Sequence, residues 1–66
     1  MQFEGLSITE QQALLNALIW FKFYHKNDSM DNFKFYMAAF DRACGLTGWT
    51  DVAVLEWLKV AADAKA

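Results

Sequence analysis

Apolar positions along this chain recur at intervals of three and four, and short polar or glycine-bearing breaks divide them into three blocks, so the pattern predicts three helices. The first block follows Ser7-Ile8-Thr9-Glu10, where the Ser7 hydroxyl can accept the Glu10 amide proton while the Glu10 carboxylate reaches back to the Ser7 amide. A helix is predicted there over residues 8–26. Asn27-Asp28-Ser29 breaks it, because these short side chains bond to nearby backbone and favour turns and caps. The second helix is predicted over 30–44, with Gly45 as the left-handed residue that ends it, Leu46 folding back onto Phe40 and Arg42 near the negative end of the dipole. Thr50 then caps a third helix over 50–65, and Trp49 and Val54 have the spacing of a hydrophobic staple across that cap. The chain has no proline, and Gly5, Gly45 and Gly48 all fall at expected helix ends.

A wheel at 100° per residue separates an inner face from a surplus. Helix 1 gathers Ala13, Leu14, Ala17, Leu18, Trp20, Phe21 and Tyr24 on one side. Its other side carries Leu15, Ile19 and Phe23 at every fourth position, flanked by Gln12, Asn16, Lys22 and Lys26. In helix 2, Met30, Phe33, Tyr36, Met37, Phe40, Ala43 and Cys44 form the expected inner stripe, with Phe35 and Ala39 outside. In helix 3, Val54, Leu55, Trp57, Leu58, Ala61 and Ala62 point inward, and Val52 and Val60 fall beside Glu56, Lys59 and Asp63.

The Leu15, Ile19, Phe23 stripe has two readings. Either helix 1 is central and its two neighbours cover both of its apolar sides, or the stripe is an exposed seam that meets another protein or a copy of itself. Truncating Leu15 or Phe23 unfolds the protein in the first case and leaves a folded, non-associating monomer in the second.

Composition sharpens the choice. A chain of 66 residues allows one domain, spanning 1–66, and domains of this size are marginal on a single core. Hydrophobic residues make up 56% and aromatics 17%, which excludes disorder and leaves more apolar surface than a short bundle can hide. Cys44 has no disulfide partner within the chain, and with one histidine there is no Cys/His set for structural zinc. Association is the remaining remedy, so a helical homodimer is expected. A net charge of −2 without a basic cluster disfavours nucleic acid. No secretory signal precedes the first helix and no apolar run approaches the ~20 residues of a membrane span, so a reducing, cytoplasmic location is expected.

Candidate chemistry is sparse. The segment from Asn27 has oxygen ligands at alternate positions but carries Asn32 and Ala38 where a calcium loop needs glycine and glutamate, so it reads as a helix cap. Asn27-Asp28-Ser29 matches a glycosylation sequon, which has no meaning without secretion. Phe-Lys-Phe-Tyr occurs at 21–24 and 33–36, but its flanks differ and its side chains point apart on a helix, so neither a repeat nor a base-stacking platform follows. His25 and Cys44 lack a recognisable catalytic setting; Cys44 is expected as a small buried hydrophobe and His25 as a mild C-terminal cap. Glu56, Lys59 and Asp63 read as a solvated face.

The expectation is therefore an all-α, compact three-helix domain, not an enzyme, with no cofactor, metal, membrane or small-molecule partner. It would act as a homodimeric protein-protein interaction module that binds or inhibits a larger protein, in the manner of a viral or plasmid accessory protein. Leu15, Ile19, Lys22, Phe23, Lys26 and Phe35 are the expected partner-binding residues. The alternative is a helix-turn-helix DNA-binding regulator, with the turn at 44–50 and helix 3 in the major groove. Against it, helix 3 opens Asp51-Val52-Ala53-Val54, which repels phosphate and offers bases few hydrogen bonds. Peripheral membrane attachment through helix 1 lacks the basic polar face it would need.

Overall fold

Serine and threonine hydroxyls start all three helices of the computed structural model, which describes residues 3–64. Helix α1 (Ile8–Lys26) opens on the reciprocal box: the Glu10 amide donates to Ser7 Oγ at 3.2 Å, and the Ser7 amide donates to Glu10 Oε1 at 2.9 Å. Helix α2 (Met30–Thr47) begins at Ser29, whose Oγ accepts the Asn32 amide at 3.1 Å. The Asn32 side-chain amide donates to the Asn27 carbonyl at 2.8 Å and so ties the break to the helix that follows it. Helix α3 (Asp51–Asp63) starts at Thr50, whose Oγ1 accepts the Ala53 amide at 3.1 Å. The chain is all-α, with the three helices in the expected order; the expected end at 65 lies outside the described residues. No helix among the described residues is long and apolar enough to cross a membrane.

The end of α2 departs from the expectation. Gly45 is an interior helical residue, and the left-handed cap is Gly48, at φ 76° and ψ 5°, whose amide donates to the Cys44 carbonyl at 3.0 Å. Leu46 lies within the helix and is exposed, so it does not fold back onto Phe40 in a terminal motif. Thr47 supports the extra turn: its hydroxyl donates to the Ala43 carbonyl at 2.7 Å and accepts the Trp49 amide at 3.1 Å. The corner to α3 shrinks to Gly48–Thr50, and Trp49 and Val54 are both buried on either side of it.

Leu14, Val54 and Leu58 are the fully buried large side chains, surrounded by Phe21, Tyr36, Phe40 and Trp49. α1 packs chiefly against α2 and more lightly against α3. Ala13 and Ala17 from α1 and Ala39 and Ala43 from α2 are all buried, and such small side chains let two helix backbones approach closely. This overturns part of the wheel for α2. Ala39 is inside, while Met30, Phe33 and Met37 are exposed. The buried arc, centred on Tyr36, Ala39, Phe40 and Ala43, is rotated about 60° from one weighted by the large residues.

Rings extend the core. Tyr24 of α1 stacks on Tyr36 at 5.7 Å and 10°, and Tyr36 meets Phe40 edge-on at 5.8 Å. A 3-10 turn, Phe3–Gly5, that the sequence pattern did not predict lays Phe3 flat on Trp57 at 5.1 Å and 15°. Gln11 holds it there, its side-chain amide donating to the carbonyls of Phe3 at 3.1 Å and Leu6 at 3.3 Å.

Cys44 is half-buried rather than enclosed, and its thiol donates to Asp51 Oδ1 at 3.4 Å, linking α2 to the first turn of α3. Burial, that bond and the negative charge of Asp51 and Asp41 push its pKa up to about 11.

Two outcomes follow from these corners. Gly48→Ala forces a Cβ into a left-handed site and should cost about 1 kcal/mol, whereas Gly45→Ala, with open space for a Cβ in a helix interior, should gain about 0.5–1 kcal/mol. Thermal melts should then move by several degrees in opposite directions; equal shifts would place the cap elsewhere. At pH 8 the Cys44 thiol should react with a disulfide reagent about a hundredfold more slowly than a free cysteine, because thiolate is the nucleophile. Its raised folded pKa also means that its contribution to stability is intact below pH 9 and is lost as pH rises from 9 towards about 11. Stability in denaturant titrations across that window, compared with Cys44→Ala, measures it.

Candidate functional site

Because α2 and α3 both cover the side of α1 that bears Ala13, Leu14, Ala17 and Phe21, the opposite side is left to solvent. Leu15 is 45% exposed, Ile19 52% and Phe23 52%. The stripe is thus not enclosed by the chain's own helices. Burying a Leu, Ile or Phe side chain completely is worth about 1.5–3 kcal/mol, and near half of that remains unrealised at each position.

The stripe continues onto α2. Trp20, which the wheel placed with the core, is half-buried at the rim of that core, where it stacks on Phe35 of α2 at 4.9 Å and 24°. It also meets Phe23, at 5.6 Å and a tilt of 48°. Phe35 is itself 54% exposed. The same rotation of α2 that buries Ala39 brings Phe35 round to Trp20. Leu15, Ile19, Phe23, Trp20 and Phe35 therefore form one apolar face across two helices. Trp20 could have been singled out in the sequence only by knowing where α2 sits.

Lys22 and Lys26 lie on the other flank, where they line a shallow hollow with Ile19 and Phe23. A neighbouring groove between α1 and α3 is lined by Phe21, Lys22, His25, Lys26, Lys59 and Asp63, so three lysines gather there, of which Lys26 lies in the last turn of α1, where its charge complements the dipole. His25 is exposed, its ring set edge-on against Phe21 at 4.3 Å. All six expected partner-binding residues are exposed: five of them, Leu15, Ile19, Lys22, Phe23 and Lys26, on α1 and Phe35 on α2.

Met30, Phe33 and Met37 make a second exposed group on the far edge of α2, with Phe33 against Tyr24 at 5.5 Å. Among the described residues, no three His, Cys, Asp or Glu side chains gather where they could hold a metal. The thiol of Cys44 is bonded to a carboxylate that raises its pKa, the opposite of an activated nucleophile. What the arrangement can do is present a rigid aromatic and aliphatic surface with a basic rim.

No family model matches the chain, and no curated protein or solved structure matches it.

Proposed function

We propose that this protein is a non-enzymatic interaction module that docks another protein through the α1–α2 face formed by Leu15, Ile19, Phe23, Trp20 and Phe35. The observation that carries the reading is the Phe23–Trp20–Phe35 ring group, in which Trp20 stacks on Phe35 and meets Phe23 at a tilt, beside an exposed aliphatic ridge. Aromatic anchors in a rigid setting dominate binding energy at protein interfaces, and a charged rim such as Lys22 and Lys26 surrounds such patches. The module would serve by occupying a surface of a larger protein, in a reducing compartment compatible with its one cysteine.

Recognition of DNA by α3 is the weaker reading. The exposed positions of its N-terminal half, Asp51, Val52 and Glu56, repel phosphate or offer it no donor, and Lys59 is the one cation among its described residues.

A photo-reactive residue placed at Ile19 or Phe35 should give protein adducts in native extract, and the same residue at exposed Val52 on α3 should give none. Equal labelling at all three positions, or none at any, overturns the proposal. Circular dichroism of each labelled protein should be unchanged, since all three side chains face solvent.

A further inference from the structure

Lys22 and Lys26 line two hollows at once: the shallow one that they share with Ile19 and Phe23, and the groove between α1 and α3 that also holds Phe21, His25 and Lys59. Helix geometry explains the sharing. At 100° per residue the order round α1 is Phe21, His25, Lys22, Lys26, Ile19, Phe23, so the lysine pair separates the basic groove from the apolar stripe. Lys59 joins them from α3, so the fold and not one helix assembles the charge.

Three lysines against the one carboxylate of Asp63 make this groove positive in a chain whose formal net charge is −2. The helix dipole accounts for only part of that. Lys26 lies in the last turn of α1, but Lys22 precedes that turn, and α3 has no basic residue in its own last turn. Lys22 and Lys26 are moreover a like-charged pair four apart on a helix, which disfavours the helix unless an anion lies over it. We infer that the partner segment docking here is acidic, with two carboxylates over Lys22 and Lys26 and an apolar side chain beside them against Ile19 and Phe23; the inference rests on reading the α1 surface as a protein-docking face.

Spacing sets the form of the segment. Positions four apart on a helix lie about 5–6 Å from one another, so an Asp or Glu pair at i and i+4 of a partner helix matches the two lysines one to one. The groove, of about 490 Å³, has room for a third acid directed at Lys59, with its stem against Phe21 and Ala62. Two other polyanions fit less well. Three lysines neutralise few phosphates of a nucleic acid. An anionic bilayer would meet Asp28 and Asp63, which border the same basic surface, as well as the lysines. A narrow peptide places its carboxylates over the cations and clear of both aspartates.

A random peptide library panned on the native protein tests this. Recovered peptides should be enriched about tenfold over the input in acid pairs four residues apart beside Leu, Ile, Phe or Trp. Lys22→Glu/Lys26→Glu should abolish that enrichment with an unchanged helical signal, since both side chains are exposed. Lys34→Glu/Arg42→Glu makes the same change of net charge at exposed positions of α2 outside the groove and should preserve it. A recovered peptide should bind about tenfold more weakly when salt is raised from about 0.05 to 0.3 M. Recovery of apolar peptides without acids, lost in Ile19→Lys, overturns the acidic partner and leaves the docking face standing. Recovery of no peptide also overturns it; co-sedimentation with phosphatidylcholine–phosphatidylserine vesicles would then assign the cations to a membrane surface, while labelling from Ile19 and Phe35 decides the docking face separately.

Discussion

The burial of four alanines, Ala13 and Ala17 on α1 and Ala39 and Ala43 on α2, is the constraint on which the rest of the molecule depends, because small side chains permit two packed helices to lie close. Each contributes little area, yet with Ala39 and Ala43 buried the inner arc of α2 runs through Tyr36, Ala39, Phe40 and Ala43 rather than through its larger side chains at 30, 33 and 37. With Ala39 turned inward, Tyr36 and Phe40 fill the space towards Phe21, and Phe35 is carried to the outer edge, where Trp20 meets it. Met30, Phe33 and Met37 are swung out to solvent by the same rotation. A larger residue at any of these buried positions would overpack the core. The exposed face is therefore a consequence of how the core closes.

Features set by local chemistry were legible from the chain alone. Each N-cap depends on a hydroxyl a few bonds from the amide that it satisfies, so Ser7 and Thr50 could be read without knowing any tertiary contact. The stripe on α1 was legible for a related reason: a residue's angle on a helix depends on counting, and Leu15, Ile19 and Phe23 fall opposite Leu14 and Phe21 whatever packs there. Where α2 ended was less so. Gly45 and Gly48 are both plausible caps in sequence, and the choice turns on Thr47, whose hydroxyl bonds back to Ala43 and forward to Trp49. The rotation of α2 was illegible because a wheel weights residues by hydrophobicity, which favours Phe and Met over Ala, whereas closeness of approach favours the small residue. The Phe3 turn was missed because its stabilising partner, Trp57, lies near the other end of the sequence.

Three helices cannot enclose an amphipathic fourth side. α1 has apolar side chains around most of its circumference, and two neighbours cover only part of it. A helix that is hydrophobic all round belongs in the centre of a larger bundle. The proposed docking partner would supply that neighbour, and lysine at 22 and 26 keeps the uncovered flank solvated, since ammonium heads stay in water while their stems lie along apolar surface.

The state of the face before binding bears on how tightly it can be used. Free aromatic side chains on a surface lose rotamer freedom when a partner arrives, about 0.5–1.5 kcal/mol for each one immobilised. Here Trp20 already contacts both Phe23 and Phe35, and Phe35 is carried on a helix packed against α1. The ordering cost of those rings falls on folding rather than on association. An interface of modest size, built chiefly on one helix, can therefore retain a larger share of its hydrophobic gain than the same side chains would on a mobile loop. That share depends on α1 and α2 staying packed, so an overpacking change at buried Ala39 would weaken the proposed docking without touching the surface assigned to it.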